Sequence, residues 1–131
     1  MTKEIILYIA AVMFFAMFIY SGVNKIMKFD QKVVTLKDKS KVSDGLAKFG
    51  LILVIILEIV GSLYIIFYIL FFKDRQSTIL YYLALTVLFC FLLFMIVVTF
   101  LYHPPSDKII PFLSNVTTFG GFLLILYTII N

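Results

Sequence analysis

Four apolar runs of nearly equal length dominate this sequence, covering about Glu4–Gly22, Gly50–Phe72, Thr78–Tyr102 and Pro111–Ile130. A helix needs roughly 20 residues to cross the ~30 Å hydrocarbon core of a bilayer, and each run is close to that length. Lipid offers the backbone no hydrogen-bonding partner, so each run must close its own bonds as a helix or join a closed barrel. Barrel strands alternate apolar and polar side chains. Leu51-Ile52-Leu53-Val54-Ile55-Ile56-Leu57 does not alternate. The expected fold is all-α, a single membrane domain over residues 1–131 built as a four-transmembrane-helix bundle. Composition points the same way, with 63% hydrophobic and 14% charged residues. Soluble domains carry roughly 45–50% and about 25%, and a domain this small could not hide the excess. The first run reads as an uncleaved helix, because Tyr20-Ser21-Gly22 makes a poor signal-peptidase site.

The connections differ in kind. Lys73-Asp74-Arg75-Gln76-Ser77 reads as a tight turn, which makes the second and third helices antiparallel neighbours. His103-Pro104-Pro105 reads as a stop, since proline cannot continue a helix and restricts the residue before it. Val23–Phe49 reads as a lysine-rich loop, with seven lysines against three aspartates. Val33, Val34 and Leu36 interrupt its charges, so it either holds a short amphipathic piece on the membrane surface or is a solvated loop. Four crossings put this segment and the Pro-Pro connection on one side, together with most of the lysines. The positive-inside rule then places that side in the cytoplasm and both termini opposite. Anionic membrane lipids are the expected partners of the lysine-rich segment.

Polar residues gather in the membrane half nearest that segment. Ser21, Asn24 and Lys25 share a helical face, as do Glu58, Gly61 and Ser62; Thr99, Tyr102 and His103; and Ser114, Thr117 and Thr118. Candidate residues for one polar pocket are Ser21, Asn24, Lys25, Glu58, Tyr102, His103, Asn115 and Thr118. The competing reading is helix glue, because small and hydroxylated residues favour close packing between membrane helices. Glu58 is the most informative of them. It lies about 12 Å along its helix at the standard rise, and a charge near the bilayer centre costs at least ~2.5–3.5 kcal/mol. It must face the interior and pair with a cation or stay protonated, and Lys25 and His103 are the candidate partners. One histidine and one distant glutamate are too few for a metal site. The single cysteine, Cys90, excludes an internal dithiol mechanism and is expected to pack as a small hydrophobe. Gly61 and Gly120-Gly121 are expected at close helix contacts. The fifteen phenylalanines and eight tyrosines suit lipid-facing and interfacial positions.

Three short motifs carry a family resemblance. Ser21-Gly22-Val23-Asn24-Lys25-Ile26 resembles the S-G-x-x-K-[LI] signature that ends the first helix of DoxX-like membrane proteins. Leu57-Glu58-Ile59-Val60-Gly61 is similar to that family's L-E-x-x-G in the second helix. Asn115-Val116-Thr117-Thr118-Phe119-Gly120-Gly121 resembles the segment opening the fourth. The resemblance implies a four-helix bundle serving as an accessory subunit of a redox or quinone-linked membrane complex. It also implies a quinone or lipid as a bound ligand. The very lysine-rich first loop departs from the family pattern. Relatives in the wider fold group that isomerise sterols would need paired intramembrane acids, and here only Glu58 qualifies. The alternative is a non-enzymatic scaffold of a cell or virion membrane. A channel is disfavoured, because no polar face runs through both membrane halves. The chain is not expected to be an enzyme on its own. Other membrane proteins or further copies of itself are its expected protein partners, and nucleic acid is not.

Overall fold

The computed structural model describes residues 2–72, 78–102 and 109–130. The turn expected at 73–77 and the proline stop at 103–108, with His103, lie outside the described residues. The helices are α1 (Thr2–Met27), α2 (Phe29–Ser40), α3 (Asp44–Ile56), α4 (Ser62–Phe67), α5 (Thr78–Tyr102) and α6 (Ile109–Ile130). A π-helical turn, Leu57–Gly61, joins α3 to α4, and a second, Tyr68–Phe72, follows α4. These pieces form one continuous helix, so among the described residues four helices are long and apolar enough to cross a membrane. No strand occurs among the described residues.

The four spans form a ring. The second span, Asp44–Phe71, lies against α1 on one side and α5 on the other, and α6 lies against α5 and α1. The ring closes over an aromatic core. Phe15, Phe91 and Phe122 are fully buried. Phe91 and Phe122 stack with centroids 4.9 Å apart, and Phe14 meets Phe122 edge-on at 4.8 Å. Such offset and edge-to-face geometries suit the ring quadrupole. Phe49, Phe67, Phe71, Phe89 and Phe100 are exposed on the outside, as expected, while Phe15, Phe18, Phe91 and Phe122 turn inward because their bulk fills the gap between the helices. Two small residues let backbones approach. A Cβ on Gly61 would sit 3.1 Å from the Phe91 ring, and one on Gly121 would strike Phe14. Gly120 faces open space instead. Cys90 is exposed, facing outward rather than into the core.

The segment read as a lysine-rich loop over 23–49 is helical over most of its length. α1 continues past Gly22 to Met27, since nothing between them breaks a helix. The chain turns at Lys28 (φ −118°, ψ 40°), and α2 follows. Val33, with Phe29 and Leu36, packs against Ala47 and Leu51 of α3. This apolar stripe at helical spacing docks α2 on the protein. Lys41 ends α2 in the left-handed region (φ 61°), its N–H bonded to the Lys37 carbonyl at 2.8 Å. Two residues later Ser43 caps α3, accepting the Leu46 N–H at 3.3 Å. That cap starts the second span at Asp44 rather than Gly50. A serine followed by an acidic first turn is a legible helix start. Asp44 also meets Lys48 at 3.1 Å and Lys37 at 3.6 Å, tying the hairpin together. All three side chains are at least two-fifths exposed, so these ion pairs add little stability.

Candidate functional site

The site is built where α1 crosses the π-helical turn of the second span. Gly22 sets the distance between them. A Cβ there would lie 2.5 Å from Ile59 Cγ1 and 3.3 Å from Glu58 Cβ. The close approach presents Glu58 to the last turns of α1. Lys25 Nζ lies 2.7 Å from Glu58 Oε1 and donates a 2.6 Å hydrogen bond to Ser21 Oγ, one helical turn earlier. Glu58 is 2% exposed and Lys25 20%. Each charge therefore has its countercharge inside the bundle, as a low-dielectric setting requires. The ammonium and carboxylate touch at an angle that makes no well-directed hydrogen bond, and Ser62 Oγ, fully buried one turn on, has no partner among the described residues. Glu58 sits inside the π turn, a local widening of the helix that often marks functional positions. The sequence gives no sign of that turn.

A cavity of about 390 Å³ opens beside the pair. α2 roofs it with Lys32 and Leu36, α3 lines it with Leu51 and Val54, and α5 with Val98 and Tyr102. Lys25 reaches its wall from the other side. The volume falls within the roughly 300–1,000 Å³ of small-molecule sites. Lys32 was missed by sequence reasoning. Its signal was available, since it stands four residues before Leu36 and so shares its face.

The eight candidate pocket residues do not converge on one place. Ser21, Lys25 and Glu58 are in contact, and Tyr102 lines the cavity that Lys25 reaches. Asn24 is half-buried beside them on α1. His103 lies outside the described residues. Asn115 lies in a separate crevice of about 160 Å³ between α5 and α6, its Nδ2 buried and without a partner among the described residues. Thr118 lines an open groove of about 650 Å³ between α1 and α6. The hydroxyls explain the dispersal. Thr99 donates to the Met95 carbonyl, Thr117 to Leu113 and Thr118 to Ser114, each within its own helix. A threonine satisfied in this way makes no demand on a neighbouring helix. Among the described residues, no three His, Cys, Asp or Glu side chains gather to hold a metal ion.

Four apolar spans, with a Lys–Glu pair held between the first two, define a small, integral, multi-pass membrane protein. Residues 3–107 match the family model Methylamine utilisation protein MauE, and the chain belongs to that family. No curated protein and no solved structure matches it. The matching family is thus MauE rather than the DoxX-like group. The motifs at 21–26 and 57–61 lie inside the matched residues, and Asn115–Gly121 lies beyond them.

Proposed function

We propose that this protein is an accessory membrane subunit of a redox system, supplying a membrane anchor and a ligand-holding polar site rather than a catalytic centre. The observation that carries the reading is the Lys25–Glu58 pair, held inside the bundle beside a cavity of small-molecule size. The family supports it, because MauE is named for methylamine utilisation. Oxidising methylamine releases electrons that need an acceptor, and a membrane quinone is one such acceptor. Kinship with DoxX-like proteins, resting on the three motifs, belongs to the same reading, as does a bound quinone or lipid. The protein's partners on this reading are other membrane proteins, or copies of itself. The lysine-rich segment faces the cytoplasm and both termini lie opposite, following the charge bias across the membrane.

A specific observation favours a second reading, a scaffold without chemistry. The centre of the bundle is filled by phenylalanine rings, and the fourth span has only 6% of its most apolar stretch buried, leaving a broad face for assembly. Purification from native membrane in mild detergent separates the two. The accessory reading expects a redox protein in stoichiometric amount, with quinone or lipid extractable from the complex. Large homogeneous assemblies of this chain alone would establish the scaffold instead. Orientation is checked in a Cys90→Ser background. Lys39→Cys should be labelled in intact cells only by a membrane-permeant reagent, and labelling by an impermeant one would reverse the assignment.

A further inference from the structure

The cavity beneath α2 has a chemistry of its own. Its walls are aliphatic and aromatic, from Leu51 and Val54 on α3 and from Phe94 and Val98 on α5. Its charged groups are both cationic, Lys25 and Lys32. Lys25 is neutralised by Glu58, but an ammonium carries three N–H donors. Ser21 takes one and Glu58 faces another, which leaves one for an acceptor in the cavity. Lys32 is half-buried and, among the described residues, has no ion-pair or hydrogen-bond partner. A half-buried unpaired ammonium above an apolar slot, at the cytoplasmic end on the orientation proposed above, lacks one thing, an anion with a hydrocarbon tail.

We infer that this cavity is a specific site for one anionic membrane lipid, its headgroup phosphate held by Lys32 and the free donor of Lys25, and an acyl chain lying between α3 and α5. A neutral quinone would leave the Lys32 charge uncompensated, whereas a phosphate neutralises it through a charge-assisted hydrogen bond. The site differs from general attraction of the lysine-rich helix to an anionic surface. Lys28, Lys39 and Lys41 lie outside the cavity and serve only that attraction. The inference goes beyond the accessory role and holds whether or not a redox partner exists.

The test uses the full chain in nanodiscs of phosphatidylglycerol and phosphatidylcholine in equal amounts, extracted into mild detergent and examined by native mass spectrometry. Wild type should retain one phosphatidylglycerol per chain. Lys32→Gln should lower that retention about fivefold, the factor expected for one lysine near a phosphate. Val54→Trp, which fills the slot, should abolish it, and Lys39→Gln should leave it unchanged. Thermal melting of Lys32→Gln and Lys39→Gln should match wild type, so the comparison does not depend on whether Val54→Trp folds. Soluble glycerol phosphate should not displace the lipid. Equal retention of phosphatidylcholine, equal losses from Lys32→Gln and Lys39→Gln, displacement by glycerol phosphate, or a neutral quinone bound regardless of Lys32 would each overturn the inference. Because the measurement is made on the protein alone, failure to find a redox partner leaves it untouched.

Discussion

Polar side chains reach across from helix to helix where α1 meets the second span, and turn back on their own helices along α5 and α6. Lys25 and Glu58 bridge the first interface at 2.7 Å. Along α5 and α6, Thr99, Thr117 and Thr118 each donate to a carbonyl four residues earlier. The two regions lie in the same half of the membrane, so depth does not explain the difference. Charge does. An ionised side chain near the bilayer centre costs at least ~2.5–3.5 kcal/mol and has no remedy within its own helix. A hydroxyl finds a carbonyl one turn away, and interhelical hydrogen bonds in membranes average only about 0.6 kcal/mol. A charged residue therefore dictates what must lie opposite it, while a threonine stripe dictates almost nothing.

The largest effects are expected at the ion pair. Truncating one member of a buried pair costs about 3–5 kcal/mol, because the other charge remains. The two truncations should be unequal. Glu58→Ala leaves Lys25, which is 20% exposed and can move its ammonium toward water, so its cost should lie near the lower end. Lys25→Met strands Glu58 at 2% exposure and should cost more. Denaturation in detergent would show the order, and the reverse order would mean that Lys25 is the more confined partner. The next largest effect belongs to Gly22. Gly22→Val drives a side chain into Ile59 and should destabilise by about 1–3 kcal/mol. Gly120→Ala, with open space around it in the middle of α6, should raise stability by about 0.5–1 kcal/mol. Similar losses at both glycines would show that α1 and the π turn are not held in close contact. The smallest effect is expected at Thr117→Val, about 0.5 kcal/mol or less. A loss of several times that would mean that α6 also depends on its hydroxyls.

The same physical division governs what the sequence could reveal. The four spans were legible, because a bilayer imposes length and apolarity together on each of them. Glu58 and one of its two candidate partners were legible because a buried charge requires a countercharge. The π turn that presents Glu58 was not, since it comes from one extra residue per turn rather than from a residue type. The helical state of Val23–Phe49 was half legible. Its lysines read as solvated loop, while Val33 with Leu36, and Ser43 before Asp44, carried the signals of a docked helix and a helix start. Asn115 and Thr118 stand apart from Ser21, Lys25 and Glu58, because shared depth and helical spacing do not by themselves bring side chains into contact. Cys90, expected to pack as a small hydrophobe, is exposed, and nothing in an all-apolar helix distinguishes the face that packs from the face that meets lipid.

Lys25 and Glu58 form one energetic unit joining α1 to the second span. A double-mutant cycle with Lys25→Met, Glu58→Leu and the combined variant, followed by denaturation in detergent, measures that unit directly. Each single change should be strongly destabilising. The combined variant should be more stable than either single variant, because no stranded charge remains. Strictly additive losses, with the combined variant the least stable of the three, would show that the two side chains do not act on each other and would contradict the account.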